Sequence, residues 1–287
     1  MRESRKDDLF TRSQAQTAAV RLLSISDLQR RLGPKSQAET FYILGSGASI
    51  EDLSKVHFDH IGKQASVGIN NWGVHPFVPD IYSLESVPWV GDGQDFSRAM
   101  RFLDREDISS RQPEILILRP KSASEIEQIS VLPGNLRASV NFYGRVTPAT
   151  REDSNLVGDI AEFVTNISLR YPSVILDSGA SVVRMVVLGM LLGFRRIVMA
   201  GVDLNGSPYF WETNPQYVSH LVSPPPVNNQ VSSKHETTSS SNRPFDAITM
   251  LRALDDFFRS ERGGQLLVTS PNSALAEYLQ LETWGKR

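Results

Sequence analysis

Short apolar segments alternate with helical segments from residue 40 onward, and this alternation limits the fold more than any other feature of the chain. The candidate strands contain continuous apolar runs rather than an alternation of apolar and polar residues, which is typical of strands buried on both faces. Strands that alternate with helices favour an α/β fold with a mainly parallel sheet. We place strands at 40–44, 64–69, 80–84, 114–118, 139–142, 174–176, 196–202 and 265–269, and the clearest helices at 156–170, 179–193, 245–260 and 272–281.

Two segments fall outside this alternation. Residues 13–33 have helical spacing, which predicts a helix packed on its own domain, although docking on a membrane surface or on a partner is also open. Residues 205–243 form a long polar insertion rich in proline and serine, which is typical of a lid or a binding loop. The 287 residues therefore divide into an N-terminal helical extension, 1–37, and a single Rossmann-like nucleotide-binding domain, 38–287, with a lid insertion at about 205–243.

Composition excludes several classes of protein. The chain has no cysteine, which removes disulfides, thiol nucleophiles and cysteine-bound zinc, and its formal net charge of -2 argues against a protein built to bind nucleic acid. The longest apolar run, 182–194, is interrupted by Arg184 and is too short to span a bilayer. The charged N-terminus lacks the apolar core of a secretory signal. We therefore expect a cytoplasmic protein, and both peripheral contact with the inner membrane and self-association remain open.

A glycine-rich loop, 45–49, follows the first long strand. Gly45, Ser46, Gly47 and Ser49 lie between that strand and a short helix, where backbone N–H groups and a helix N-terminus favour a phosphate or a ribose. The motif is not a P-loop, because no Gly-Lys-Ser/Thr follows, and it is a poor Gly-x-Gly-x-x-Gly motif, because Asp52 rather than glycine stands at the sixth position counted from Gly47. A plain strand–turn–helix corner is the alternative interpretation.

Polar residues close three further strands. Asn70 follows the second strand, and its amide could bind a sugar hydroxyl or serve only in a turn. Asp177 and Ser178 precede the apolar helix 179–193, where either could cap the first turn, and Gly193 stands at its C-terminal end. Asp203 ends the strand 196–202, and we expect it to accept backbone N–H bonds rather than bind a metal.

The histidines offer one candidate base and no convincing zinc site. His235 lies in the predicted lid, and neutral histidine is suited to take a proton from a sugar hydroxyl near pH 7. A solvated surface residue is the alternative interpretation. His57 and His60 are three residues apart but lack a third ligand nearby.

Taken together, these motifs resemble the bacterial sialyltransferases of glycosyltransferase family 42. Four blocks carry the resemblance in order along the chain. They are the strand with the loop 45–49; Asn70; the segment from Asp177-Ser178-Gly179 through Ala200-Gly201-Val202-Asp203 to Gly206-Ser207-Pro208-Tyr209; and the segment from His235 to Ser270-Pro271-Asn272-Ser273-Ala274-Leu275-Ala276. The resemblance extends over residues 40–282 and is dense only in 174–212 and 265–280.

The resemblance implies an inverting, metal-independent glycosyltransferase with no cofactor. Such an enzyme moves an acidic sugar (sialic acid, a related nonulosonate or Kdo) from a CMP-activated donor to a surface glycan acceptor, as in lipopolysaccharide or capsule biosynthesis. It implies His235 as the general base and Tyr209 as a hydrogen-bond donor to the departing phosphate. The implied donor-binding residues are Gly45, Ser46, Gly47, Ser49, Asn70, Ser178, Gly179, Asp203, Asn272 and Ser273.

The chain departs from the family at several positions, which bear on the identity of the donor. Asn205 stands where the family has a second tyrosine, and Asp177 and Ile175 replace its threonine and arginine. Glu85 near the second asparagine position would oppose an acidic sugar. Two alternatives remain: an ATP- and Mg²⁺-dependent enzyme similar to pterin pyrophosphokinases, and a non-catalytic nucleotide-sugar-binding subunit.

Overall fold

The computed structural model describes residues 2–85, 103, 105–118, 123–130, 132, 134–219, 221, 225, 236–238 and 245–284. Their strands are β1 (Arg21–Leu22), β2 (Thr40–Leu44), β3 (Ala65–Ile69), β4 (Ile81–Leu84), β5 (Glu114–Leu118), β6 (Val140–Val146), β7 (Val174–Leu176), β8 (Arg196–Ala200), β9 (Gln265–Val268) and β10 (Gln280–Leu281). They form an open sheet of order β1-β6-β5-β4-β3-β2-β8-β9-β10, with β7 paired to β6. The strand pairs are parallel, so the predicted α/β fold with a parallel sheet is confirmed.

Helices lie on both sides of this sheet. They are α1 (Arg2–Ala18), α2 (Ile25–Leu32), α3 (Lys55–Ile61), α4 (Glu106–Arg111), α5 (Ala123–Ser130), α6 (Gly134–Arg137), α7 (Asp153–Glu162), α8 (Ser168–Arg170), α9 (Ser181–Leu191), α10 (Phe210–Thr213) and α11 (Ala247–Arg262). A π-helical segment, Phe163–Ile167, joins α7 to α8. In this part of the chain, no helix is long and apolar enough to cross a membrane.

The central strands are buried on both faces, as their unbroken apolar sequences predict. Phe41 and Ile43 of β2 point into one hydrophobic core, which includes α7, α9 and α11. Tyr42 and Leu44 point into the other core, which includes Ala15 and Ala18 of α1. Successive side chains of a strand face opposite sides, so one apolar run fills two cores.

Helix α9 is apolar apart from Ser181 and Arg184, and every residue from Ser181 to Met190 is buried. It packs against β2 and β8 at Gly189, where a Cβ would come within 2.8 Å of Phe41 and 2.9 Å of Ile197. The predicted C-terminal glycine is confirmed, since Gly193 has a φ of +91° and follows the last turn. The predicted helix 179–193 and strand 196–202 are therefore both present, with shorter bounds.

Two predicted helices are wrong. The segment 13–33 is interrupted: Ala19 has a φ of +51°, and Arg21–Leu22 then pairs with β6 as an edge strand. The segment 272–281 contains one 3-10 turn, Ala274–Glu277, followed by β10. In both segments the backbone forms hydrogen bonds to a strand that is adjacent in the sheet but distant in sequence. The local spacing of apolar residues cannot reveal such a partner.

The N-terminal segment packs on its own domain. Besides the burial of Ala15 and Ala18, ion pairs join Arg21 and Arg31 to Glu114, at 2.8 and 3.1 Å. Burial raises the pKa of Glu114, while hydrogen bonds from Asn141 and Arg31 oppose that rise. These contacts place residues 2–32 against the sheet rather than on a separate surface.

Candidate functional site

Strand β2 lies at the centre of the sheet, between β3 and β8, and the chain builds outward from it in both directions. In open parallel sheets of this kind, ligands bind beyond the carboxyl ends of the strands at the point where the strand order reverses. The segments that follow β2, β3 and β8 meet at this edge, and they contain most of the residues that the sequence singled out.

The glycine loop packs directly against the segment that follows β8. The N–H of Gly45 donates to Ala200 O and that of Gly47 to Gly201 O, each at 2.7 Å. A Cβ on Gly45 would overlap the carbonyl of Gly201, and one on Gly47 would overlap the carboxylate of Asp203. Glycine is therefore required here because two backbones come into contact.

This packing changes the expected role of the loop. The N–H groups of Gly45, Gly47, Ala48 and Ser49 all donate to acceptors within the chain. These four N–H groups are therefore not available to bind a phosphate, contrary to the expectation from the sequence. Contact of the loop with a ligand is left to Ser46, through its hydroxyl or its N–H group.

Asp203 joins the two segments. Its carboxylate accepts the N–H of Ser49 at 3.1 Å and the hydroxyl of Ser49, and both residues are buried. Burial raises the pKa of Asp203; the bonds from Ser49 oppose this rise and the nearby charge of Asp52 adds to it. Asp203 thus accepts a backbone N–H and orients the loop, as the sequence predicted.

Tyr209 lies beside the same loop. Ala48 N donates to Pro208 O at 3.1 Å and Phe210 N donates to Ser46 O at 3.0 Å, so the segment 208–210 pairs with the segment 46–48. The Tyr209 ring stacks on Trp211, with 4.6 Å between ring centroids. The structure therefore brings Tyr209 to Gly47, which are separated by a long stretch of chain.

Asn272 and Ser273 reach this edge from β9. Ser273 Oγ donates to Val202 O at 2.7 Å, and Asn205 Nδ2 donates to Asn272 O at 2.7 Å. The hydroxyl of Ser273 also accepts Leu275 N and so begins the 3-10 turn. Ser273 is buried by these bonds, whereas Asn272 is exposed.

A second polar group lies next to the glycine loop, at the ends of β3 and β4. The pairing of Leu44 with Gly68 puts Asn70 level with Ser46 on the neighbouring strand. Asn70 is exposed and has a φ of +56°. Its Oδ1 lies 3.1 Å from Ser181 Oγ, which is 2.6 Å from Glu85 Oε1.

Glu85 and Ser181 belong to a buried ion cluster that the sequence did not predict. Arg184 of α9 is 1% exposed and donates to Glu85 Oε2 at 2.5 Å and to Asp177 Oδ1 at 2.9 Å. Burial alone would lower the pKa of Arg184, but Asp177 and Glu85 raise it well above its ordinary value. Arg184 therefore remains charged and compensates Glu85.

The predicted cap of α9 is wrong. The residue before the helix is Ala180, and among the described residues no side chain forms a cap hydrogen bond there. Asp177 instead accepts Gly179 N at 2.7 Å together with the two guanidinium groups of Arg184 and Arg145. The carboxylate of Asp177 therefore forms ion pairs instead of capping the helix.

Three hydroxyls at the carboxyl edge stand out. Ser46, Ser178 and Thr269 follow β2, β7 and β9, and their hydroxyl oxygens are buried without a hydrogen-bond partner among the described residues. Buried polar groups without partners are uncommon in folded proteins, and each calls for a reason. All three can donate or accept toward a ligand at this edge.

His235 lies outside the described residues, as does about half of the predicted lid, 205–243. The described start of that insertion, 205–219, is folded: Phe210 and Trp211 are buried, and Tyr217 and Asn214 bond to Glu51. His57 accepts Ser54 N at the start of α3. Among the described residues, no group of three or more His, Asp or Glu could hold a metal ion.

Sequence reasoning missed Arg184, Ser181 and Thr269. A signal for Arg184 existed, because an arginine inside a buried apolar run requires buried acidic partners. Thr269 had a weaker signal, as the residue directly after a buried strand. Ser181 had none, since its role depends on contact with two other strands.

No family model matches the chain, and no curated protein matches it. Among solved structures, the chain is similar to the MAf glycosyltransferase from Magnetospirillum magneticum AMB-1, with 16% sequence identity and a TM-score of 0.48. The match covers 87% of this chain and 34% of that chain, so this chain spans about a third of that protein's length.

Proposed function

We propose that the chain is a glycosyltransferase that binds a nucleotide-activated sugar at the carboxyl edge of its parallel sheet. The observation that carries the proposal is that the hydroxyls of Ser46, Ser178 and Thr269, at this edge, have no hydrogen-bond partner in the part of the chain that the structure describes. Hydroxyl groups can both donate and accept, which suits phosphate oxygens and ribose or sugar hydroxyls alike. The position is where α/β folds of this type bind nucleotides.

The proposed donor is a CMP-activated acidic sugar, as the family resemblance implies. The negative charge of Glu85 would by itself repel the carboxylate of such a donor. Its ion pair with the buried guanidinium of Arg184 compensates that charge. The structure therefore offers no unbalanced negative charge at Glu85 that would oppose this donor.

The proposed reaction is a single displacement at the anomeric carbon, with inversion and without a metal. His235 takes the proton of the acceptor hydroxyl, the acceptor oxygen forms the new glycosidic bond, and the bond to the phosphate breaks with release of CMP. Tyr209, whose backbone pairs with Gly47, would donate a hydrogen bond to the phosphate as it gains charge.

A thermal-shift panel with CMP, UDP, GDP and ATP, each with EDTA or with Mg²⁺, tests the proposal. A ligand that binds only the folded state raises the melting temperature. We expect a selective rise with CMP that EDTA does not remove. A selective rise with ATP that requires Mg²⁺ would favour the pyrophosphokinase-like alternative, and CMP binding without transfer or donor hydrolysis would favour a non-catalytic subunit.

Replacement of the proposed base gives a kinetic test. His235→Ala should lower kcat by on the order of 10²-fold, because general base catalysis contributes about that much. The exposed His60 of α3 provides the matched control, and His60→Ala should retain kcat. Equal rates of sugar transfer by the two variants would rule out His235 as the base.

A further inference from the structure

Trp211, in the first turn of α10, is buried beside the candidate site. The residue is 3% exposed, and its indole packs edge to face against Phe210, with 5.0 Å between ring centroids and 80° between ring planes. Phe210 is 0% exposed and belongs to the hydrophobic core on that side of the sheet. Side chains packed in this way are held at close to crystalline density. The indole of Trp211 is therefore a fixed part of the core.

The backbone of Tyr209 is held by its neighbours. Segment 208–210 pairs with segment 46–48 through backbone hydrogen bonds of 3.0 and 3.1 Å, and the N–H of Tyr209 donates to Glu212 Oε2 at 2.6 Å. With the backbone fixed, two side-chain torsions remain. The first has three staggered positions and sets where the hydroxyl oxygen lies, and the second sets the plane of the ring, in which the O–H bond lies. The backbone contacts alone therefore leave the direction of the phenol open.

Trp211 restricts both torsions of Tyr209. The two rings are stacked, with 4.6 Å between centroids and 25° between planes. Aromatic rings at this separation attract each other, so a fixed indole favours one position and one plane of the phenol ring. Stacking uses the face of that ring, whereas a hydrogen bond to a phosphate uses the hydroxyl at its edge. The two interactions therefore do not compete.

A fixed phenol matters for the role proposed for Tyr209. A hydrogen-bond donor lowers a reaction barrier most when it is in place before the charge develops, because nothing then has to reorganise during the reaction. The N–H groups of Gly45, Gly47, Ala48 and Ser49 donate within the chain and are not available to the phosphate. A phosphate at this loop therefore depends more strongly on side-chain donors such as Tyr209.

We propose that Trp211 is a positioning residue for the transfer reaction: it holds the phenol of Tyr209 in the direction that serves the departing phosphate. This assignment rests on the proposed function, in which Tyr209 donates a hydrogen bond to that phosphate. Trp211 is buried and acts through Tyr209 rather than on the substrate. Loss of the indole should therefore slow the breaking of the bond between sugar and phosphate more than it weakens binding of the donor.

Hydrolysis of CMP-sialic acid or CMP-Kdo without an acceptor tests the assignment. Water then attacks the anomeric carbon and the bond to the phosphate breaks with release of CMP, so the leaving group is the same and no acceptor has to be known. Trp211→Leu removes the flat ring but keeps an apolar side chain. It should lower kcat for CMP release by about 10-fold and leave KM for the donor within about 3-fold. Trp211→Phe keeps a ring for stacking and should retain most of the wild-type kcat.

A double-mutant cycle with Tyr209→Phe separates positioning from a merely structural role. Tyr209→Phe keeps the stacked ring and removes the hydroxyl, and it should lower kcat by about 10²-fold. In that background, Trp211→Leu should lower kcat no further, because no hydroxyl is left to position. The same loss from Trp211→Leu with and without the hydroxyl would show that Trp211 acts only on the fold, and would overturn the assignment.

Phe194→Leu is the matched control. Phe194 is 2% exposed and stacks on Phe41 in the other core, with 5.1 Å between centroids and 20° between planes. This variant should lose stability much as Trp211→Leu does but keep the wild-type kcat. Melting temperatures show which variants are folded at the assay temperature. If Trp211→Leu is unfolded there, Trp211→Met takes its place in the cycle, because its longer, adaptable side chain fills more of the space.

Failure of the proposed function can be distinguished from failure of this assignment. A wild-type protein that neither binds CMP nor releases it from either donor would contradict the proposed function. With release of CMP by the wild type intact, full kcat in Trp211→Leu or in Tyr209→Phe would overturn the role of Trp211. An equal loss of kcat in Phe194→Leu, or a raised KM for the donor at unchanged kcat in Trp211→Leu, would overturn it as well.

Discussion

Gly201 has a φ of +67°, and its Cα faces Ile50 and the carbonyl of Gly45. Two independent constraints therefore act at this residue: a backbone conformation that disfavours side chains, and a space already filled by the glycine loop. The contact matters for the candidate site, because it fixes the distance between the ends of β2 and β8. Loss of this contact would shift Ser46 and Tyr209 together.

Gly201→Ala is expected to destabilise the protein by about 2–4 kcal/mol, from the strain of a positive φ and the overlap of the new methyl group. Urea denaturation measures the change. Gly158→Ala in α7 is the matched control, because a Cβ there meets nothing within 4 Å. That variant should be stabilised by about 0.5–1 kcal/mol, since alanine is the better helix former. Equal effects at both positions would contradict the packing argument.

His75 should make stability depend on pH. It is buried between Trp72 and Tyr217, with ring centroids at 4.4 and 5.3 Å, and burial together with the charge of Arg105 lowers its pKa from 6.5 to about 3. Between pH 6.5 and about pH 3, His75 is therefore protonated in the unfolded chain but neutral in the folded protein. The stability contributed by neutral His75 is present above pH 6.5 and is lost as the pH falls toward 3.

Urea denaturation at pH 7 and pH 5 measures this effect. Between these pH values, His75 should account for a loss of about 2 kcal/mol, at about 1.4 kcal/mol for each pH unit below 6.5. His75→Phe keeps an aromatic ring in the stack but removes the acceptor for Phe77 N. It should be less stable at pH 7 and lose about 2 kcal/mol less on acidification; an unchanged pH dependence would exclude His75 as the cause.

Helix α9 is attached to β4 and β7 by ion pairs, in addition to its apolar packing. Arg184 supplies both connections, to Glu85 after β4 and to Asp177 after β7. The start of α9 is therefore held at the sheet edge, next to Ser178 and Gly179, which are proposed to contact the donor. Orientation of this helix end depends on one side chain.

Arg184→Met tests that dependence. Removal of one partner of a buried ion pair costs about 3–5 kcal/mol, because Asp177 is left buried beside a single remaining guanidinium. Arg145→Gln removes the half-exposed partner and should cost less than about 1 kcal/mol. Melting temperatures of the two variants check the difference, and a similar loss for both would contradict the assignment of Arg184 as the central residue.

The strands could be predicted because burial on both faces leaves a local mark. After a polar first residue, Thr40–Leu44 and Glu114–Leu118 are apolar, and the structure has these strands with those bounds. The 3-10 turn and strand after Ser273 could not be predicted, because Ala274 N bonds to Asp203 O and Glu282 N to Val268 O. Such segments take their conformation from chain that is distant in sequence.

The candidate site also combines features that could be predicted from the sequence with features that could not. The positions of Asn70 and Asp203 at strand ends could be read from the sequence, because parallel strands bring their carboxyl ends to one edge. The use of the N–H groups of Gly45 and Gly47 could not, since their acceptors are the carbonyl groups of Ala200, at the end of β8, and of Gly201, directly after it. The role of Asp177 could not be predicted, because the two arginines that form ion pairs with its carboxylate belong to other elements.

At the scale of the whole molecule, the N-terminal segment is part of the sheet. Strand β1 covers the edge of β6, and α1 buries Ala15 and Ala18 against one face. Deletion of residues 2–22 should expose that edge and that face, with a lower melting temperature and a stronger tendency to aggregate. Leu9→Ser, at a position that is 56% exposed, should leave both properties unchanged. A deletion variant as stable and soluble as the full chain would show that the segment is dispensable.

The pairing of β2 with β8 sets the order in which the molecule can form during synthesis. Thr40 pairs with Arg196, so one neighbour of the central strand is synthesised about 150 residues after that strand. Until then, the growing chain carries β2 with one open edge and with the glycine loop lacking its acceptors. The polar edge of the site therefore appears last, and a nascent chain that stops before β8 exposes the middle of its sheet, where capture by chaperones or by another open strand competes with folding.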